Sequence, residues 1–418
     1  MTALFDQAIF DAAQVHARRG GQTALAARRD VLADRFKLLG LPTRKVESYH
    51  WTDLRVLADR KFVPVAPQIN PPMDLGGHYL CIRDGVPAGQ IAASGLRVDP
   101  WGQADLGVQA ALKDVYGHPA DTSGAMGALN TALSENGVMV HVHQGIDAGV
   151  LHLDFQATGS VDTTRSRNVI VLADHAKLTL IETYAGPDDC DYFAHHGFDI
   201  VLGAQAELTH FRLERDGARA FHLSDTHVQQ NAGSVYNQVA VALGARLTRQ
   251  DLGIVLKGEG ANTKIAAAYL ANGKRHVDLT GSIDHAAPHC TSEQTVKGVV
   301  GDSARGIFQG KVIVRPGAQK TDAKQLTKAL VLSESAEIDH KPELEIYADD
   351  VKCAHGATAG DLDPNSLFYL QSRGIPMEEA RQLLIRAFLA DALDGITHEL
   401  FQAAALESLD HHLSRMGV

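Results

Sequence analysis

The chain has 418 residues, 45% of them hydrophobic and 21% charged, so it can bury one large core or several and lacks the apolar depletion that keeps a chain disordered. Asp and Glu number 50 against 39 Lys and Arg, a formal net charge of -11; that balance offers no long-range attraction to phosphate backbones or anionic lipid and speaks against nucleic acid and membrane as partners. Four cysteines, Cys81, Cys190, Cys290 and Cys353, stand far apart with no CxxC pair, which argues for reduced thiols over a disulfide framework or a zinc knuckle.

Residues 1–60 read as an N-terminal helical region. The opening MTALFDQAIFDAAQVHARRG has no basic segment leading into an unbroken apolar run, so it reads as neither signal peptide nor membrane span, and a cytoplasmic location is expected. Ala24, Leu25, Val31, Leu32, Leu38 and Leu39 recur at helical spacing until Gly40-Leu41-Pro42 stops the pattern. Residues 61–136, rich in Pro and Gly with short apolar runs such as HYLCIRDG, read as a loop-rich lead-in to sheet.

From 137 to 360 the character changes to short strand-like runs, among them VMVHVH, NVIVLA, KLTLIETY and GSVYNQVAVAL. Many alternate apolar with polar, as in Lys177-Leu178-Thr179-Leu180, so one face of each strand is buried and the other wet. A sandwich, a barrel or a parallel β-helix would each close such a run. Turn signals such as Gly-Ala, Asn-Gly and Gly-Glu-Gly recur without hairpin regularity, which favours the β-helix.

Residues 361–418 turn helical again. Ala380, Leu383, Leu384, Ala387 and Phe388 line one face after Pro376, with Glu378 and Glu379 in the first turn, and Leu406, Leu409, Leu413 and Met416 suggest a second helix. Both stripes are expected to pack on the rest of the fold, with a partner surface as an additional use.

Phosphate-loop signals fail. Gly258-Glu259-Gly260-Ala261-Asn262-Thr263 lacks the third glycine, and Gly273-Lys274-Arg275 lacks both the preceding glycine and the following Ser or Thr. No GxSxG elbow or HExxH helix is present. His285, His289 and Cys290 in HAAPHC, and His141 with His143 on a strand, could each bring ligands together, but the spacing announces no complete metal set. The pairs His195-His196 and His411-His412 point adjacent side chains in different directions and are expected to be solvated.

Three segments carry a resemblance. PELEIYADDVKCAHGATAGDLDPNSLFYLQSRGI (Pro342 to Ile375) resembles the C-terminal segment of the SufB/SufD family of iron–sulfur cluster assembly scaffolds. Asp284 to Leu326 resembles the later β-helix of that family, and GLPTRKVESYHWTDL (Gly40 to Leu54) resembles the N-terminal segment of its SufD branch. The resemblance implies a mainly β fold: a right-handed parallel β-helix (β-solenoid) core flanked by N-terminal and C-terminal helical regions. Leu370 occupies the place where SufB subunits carry a cysteine thought to accept sulfur, whereas Lys352-Cys353-Ala354-His355-Gly356 resembles the SufD motif, and both favour that branch.

The resemblance further implies a non-catalytic scaffold that pairs with SufB and docks the SufC ATPase through about 361–418, or forms a homodimer in isolation. Residues two apart on a strand share a face, so Cys353 and His355 could present a thiolate and an imidazole to one space, common ligands of iron. Two ligands are about half of what a cluster needs. A transient iron–sulfur cluster or iron shared with SufB is therefore expected, and none tightly bound to the isolated chain. Without the resemblance, Cys353 would read as a buried thiol and His355 as a turn residue beside Gly356. Two alternatives stay open: a SufB-like scaffold with its own sulfur acceptor, and a β-helix enzyme acting on polysaccharide through acidic pairs such as Asp188-Asp189 and Asp349-Asp350.

Overall fold

Strands alternate between two sheets for most of the chain, each strand serving as the crossover for the sheet opposite. The computed structural model describes residues 24–58, 60, 62–101 and 124–416; the opening stretch read for a leader and part of the loop-rich lead-in lie outside them. The first strands are β1 (His78–Arg83), β2 (Val86–Pro87), β3 (Ile91–Ala93), β4 (Leu96–Pro100) and β5 (Val138–Val142). Then follow β6 (Asp147–Gln156), β7 (Thr163–Leu172), β8 (Lys177–Ala185), β9 (Phe193–Leu202), β10 (Glu207–Arg215), β11 (Phe221–Gln230), β12 (Val235–Ala242) and β13 (Leu247–Leu256). The last are β14 (Asn262–Ala271), β15 (His276–His285), β16 (Thr291–Val300), β17 (Arg305–Val314), β18 (Asp322–Val331), β19 (Glu337–Ile346) and β20 (Lys352–Gly360).

From β6 to β20 the even strands stack in parallel in one sheet, and from β5 to β19 the odd strands do so in the other. Parallel neighbours need a crossover, and here the crossover is the strand of the opposite sheet, which makes a β-solenoid of about 8 turns. The register partners His210, Gln238, Ile265, Gln294, Gln325 and His355 lie 28, 27, 29, 31 and 30 residues apart. That unequal step is why no repeat is visible in the sequence.

One corner of the coil repeats closely. His175, Gln205, Gly233, Gly260, His289 and Lys320 all have positive φ, a reversal that costs glycine little and other residues more. The next residue, Ala176, Ala206, Ser234, Ala261, Cys290 or Thr321, is buried each time. A narrow corner accepts only a small inward side chain. Cys290 fills such a place.

Part of the outer face of each sheet is covered by helices. Helix Ala24–Leu39 packs Leu32 and Phe36 with helix Ala125–Leu133 against Phe221, Leu223 and Leu247 of the odd sheet. Helix Ala125–Leu133 falls in the stretch expected to be loop-rich. All nine of its residues are buried, Asn130 and Thr131 included, so AMGALNTAL has no solvated face to mark it as an amphipathic helix.

At the other end, helices Met377–Ala390 and Glu399–Ser414 cover the even sheet. Ile385, Leu389, Phe401, Ala405, Leu409 and Leu413 pack on Phe211, Leu213, Val239, Val241 and Leu270. The expected face of the first helix is rotated: Ala380 is buried, but Leu383 and Ala387 are exposed while Ile385 and Leu389 go inward. The helix carries apolar residues on more than one side, and the sheet selects among them. No described helix is long and apolar enough to cross a membrane.

Candidate functional site

The last coil differs from the others. Ala323, Gln325, Thr327 and Ala329 of β18 face the interior and are buried. Their register partners on β20 are Cys353, His355, Ala357 and Ala359. Cys353 is only part-buried, packed beside Val312, Val314, Ala318 and Ala323, and His355 is exposed. The two sequence-predicted residues therefore share the inward face of a strand that, among the described residues, has a neighbour on one side only. Burial pushes the Cys353 thiol up, and the Asp322 carboxylate adds to the effect, so the thiol form is favoured until a cation or metal offsets that field.

Backbone direction distinguishes the two terminal strands. Lys352 N–H donates to Thr321 C=O at 2.8 Å, so with the two-residue repeat of a strand the N–H groups of Cys353, His355, Ala357 and Ala359 point away from β18. On β19, Glu337 and Tyr347 donate to Ala304 and Val314, which turns the even-numbered positions outward. Pro342 occupies one of these and removes its donor. Such a proline blunts an edge. β19 is thus a broken template for strand pairing and β20 an intact one.

Two residues at this mouth were not singled out by the sequence. His340 points inward from β19, its Nε2 3.2 Å from Thr327 Oγ1, and Thr327 is the register partner of Ala357, two residues along from His355. Burial lowers the His340 pKa, partly countered by Asp339. Gln325, directly beside His355 in register, donates to Gln294 Oε1 at 2.8 Å and leaves its own Oε1 buried without a partner. Alternation within DHKPELEI is the only sequence signal for His340.

Deeper in the solenoid the interior is polar and extensively paired, although His222 Nε2 is among the buried atoms left without a partner. Glu182 accepts from Tyr184 Oη at 2.6 Å, contacts His210 Nε2 at 2.7 Å and pairs with Arg212 at 2.9 Å. Burial alone would raise this carboxyl; His210 and Arg212 outweigh it and hold it at about 2. Glu214, Asp216 and His222 bring ligand atoms within 4.8 Å of one another, all buried. Those atoms are already engaged: His222 Nδ1 with Asp216 at 2.8 Å, Tyr192 Oη with Asp216 at 2.8 Å, and Thr248 Oγ1 with Glu214 at 3.0 Å.

The remaining candidates disperse. His285 is inside the coil, 2.9 Å from Ser292 Oγ, while His289 sits exposed on the corner with positive φ, so HAAPHC brings no ligands together. His141 and His143 share a strand face with rings 4.9 Å apart. The expectation that His195 and His196 are solvated is corrected: both are buried. Their side chains do point opposite ways, but His196 enters the interior against Phe155 and Tyr184, and the other side of β9 lies under Asn130, which donates to His195 C=O at 2.9 Å. His411 is exposed, whereas His412 is half-buried and bonded to Ser408 C=O at 2.8 Å. Asp188-Asp189 and Asp349-Asp350 sit at turns after β8 and after β19, not across one cleft as paired glycosidase carboxylates must.

A family model described as SUF system FeS cluster assembly, SufBD core domain, matches residues 155–388, from the end of β6 into helix Met377–Ala390. The iron–sulfur cluster assembly protein SufD of Escherichia coli K12 is 30% identical over 394 residues, 90% of this chain and 90% of its own length. An iron–sulfur cluster assembly SufBD family protein of Synechocystis is 31% identical over 399 residues, 89% of this chain and 87% of its own. SufD of Bacillus subtilis is 29% identical over 281 residues, 65% of this chain and 63% of its own.

Proposed function

The chain belongs to the SufBD family of SUF-system iron–sulfur cluster assembly proteins, and on that premise we propose that it is a non-catalytic scaffold subunit of the SufD type. It pairs through the bare end of its solenoid with a SufB-type subunit and docks a SufC-type ATPase. The observation that carries this reading is the unpaired edge of β20, which bears Cys353 and His355 on its inward face. A strand added along that edge would satisfy the outward N–H groups and close the mouth over both side chains.

Thiolate and imidazole from this chain, with His340 bonded to Thr327 one inward position along from His355's neighbour Gln325, fall short of a full cluster ligand set. The partner supplies the rest, and the iron or cluster is cargo held at the shared interface, not a resident group of the isolated chain. In the absence of SufB a second copy would use the same edge and form a homodimer. The work belongs to the cytosol in this reading. Leu370, half-buried in helix Pro364–Ser372, offers no sulfur acceptor, which favours SufD-type over SufB-type scaffolding. Beside it Phe368 and Tyr369 are 73% and 57% exposed, with Met377 and Leu383 also outward. We assign this apolar surface to the ATPase.

His355→Ala in the co-expressed complex tests the site: cluster formation, followed by iron and sulfide content, should fall to a small fraction while the subunits still co-purify. Undiminished assembly sinks the assignment. For the docking surface, Phe368→Asp with Tyr369→Asp should abolish recovery of the ATPase; equal recovery refutes it.

A further inference from the structure

Two sequence features remain unused by cluster building: the stretch Arg44 to Asp53, and the turn at Gly273-Lys274-Arg275 that fails as a nucleotide loop. The fold brings them together. Phe221, Leu247, His276 and Arg305, the first residues of β11, β13, β15 and β17, are successive register partners on the outer face of the odd sheet. They line a cavity of about 280 Å³ that Arg44, Trp51, Asp53, Val56, Arg246 and Lys274 complete. Phe221 and Leu247 are buried and give it an apolar floor.

Its charge is unbalanced. Arg305 is neutralised by Asp339 at 2.6 Å and Glu337 at 3.3 Å, and Asp53 is taken by Arg55. Arg44 donates to the His50 carbonyl at 2.9 Å and feels the Asp53 carboxylate of the same lining at longer range, a carboxylate already held by Arg55. Among the described residues no carboxylate pairs with Arg44, Arg246 or Lys274. Arg246 feels Asp191 at longer range, but that carboxylate is already held by Arg219 at 2.8 Å and Arg60 at 3.4 Å. His276 lies 2.9 Å from Thr52 Oγ1, and burial keeps it neutral, near 4. Three unneutralised cations around one small cavity repel one another, in a chain whose net charge is -11. A multiply charged anion removes that repulsion.

We propose that this cavity binds a small phosphate-bearing anion, a diphosphate group held by Arg44, Arg246 and Lys274, with the half-buried Trp51 as the surface for an attached ring. Guanidinium forks match phosphate oxygens two at a time and a lysine adds a point charge, while an indole face accepts a planar ring.

Titration of the full-length chain with pyrophosphate, ADP and succinate, followed by calorimetry and by Trp emission, tests the site. Saturable binding of pyrophosphate or ADP that weakens with salt is expected, and about ten- to a hundredfold weaker binding in Arg246→Gln/Lys274→Gln at unchanged melting temperature. If the double variant does not fold, Lys274→Gln alone, on an exposed turn, should show a smaller loss. ADP tighter than pyrophosphate, with the preference lost in Trp51→Leu, identifies a nucleotide; equal binding identifies a free diphosphate. No saturable binding, binding undiminished in the charge variants, or succinate bound as tightly as pyrophosphate would overturn the proposal. His355→Ala should leave this binding unchanged, which separates it from the cluster-building site.

Discussion

The two ends of the solenoid are built to different rules. At the N-terminal end β1 folds back on β2 and β4 pairs antiparallel with both β3 and β5, so short hairpins terminate each sheet. The turn between β1 and β2 needs Gly85: its φ is +85°, and a Cβ there would lie 2.2 Å from the Arg165 carbonyl oxygen. Below it the interior is apolar, with Val98, Val140, Leu151, Leu153 and Ile170 buried. At the C-terminal end the sheets stop, among the described residues, at β19 and β20 with no hairpin, and the inward faces of both strands are partly open. Repeat architectures otherwise cap both ends. An end left uncapped, with one edge blunted by Pro342 and the other intact, is the end at which we propose that another chain adds.

A proline at each end gives the largest contrast. Val140→Pro, in β5 between two neighbouring strands, should cost about 3 kcal/mol or more in denaturant unfolding. Ala357→Pro, which removes only an outward N–H, should change the stability of the isolated chain by less than about 1 kcal/mol. It should nevertheless abolish pairing with the SufB-type subunit in size-exclusion chromatography. Equal destabilisation by the two would erase the distinction between closed and open end.

Acidity probes the closed coils. Burial depresses His152 and His285 to about 4, so both stay neutral in the folded protein while the unfolded chain titrates near 6.5. The stability they contribute is fully present above about pH 6.5 and is lost as pH falls toward 4, by at most about 1.4 kcal/mol per pH unit for each histidine. Denaturant midpoints measured from pH 7 to 4 should show this decline, and His285→Gln should remove one histidine's share of the slope.

Thiol accessibility separates the ends more gently. Cys353 should be the thiol labelled in the native chain, at a rate that climbs with pH and calls for more alkaline solution than a free thiol because burial raises its pKa, and the partner subunit should shield it. Cys81, Cys190 and Cys290 are buried and should react only on unfolding. The smallest effect belongs to Cys290→Ala. That corner already holds alanine at 176, 206 and 261, so the loss should stay within about 1 kcal/mol, and thermal melting measures it.

The amino-acid sequence alone determined the β-rich middle of the chain, the helical flanks, and the sharing of one strand face by Cys353 and His355, because period-two alternation and the i, i+2 rule are local. It could not show that Ile385 and Leu389, not Leu383 and Ala387, go inward, since a helix with several apolar sides is resolved only by the sheet it meets. Nor could it reveal that His195 and His196 are covered in both directions, or that His340 returns to the mouth occupied by His355. Coil steps of 27 to 31 residues bring such positions together, and their register is set by small side chains at corners packing on the coil before. Only the tertiary structure decided which end is closed and which is left open, because an edge is a property of a sheet's neighbours and not of the strand itself.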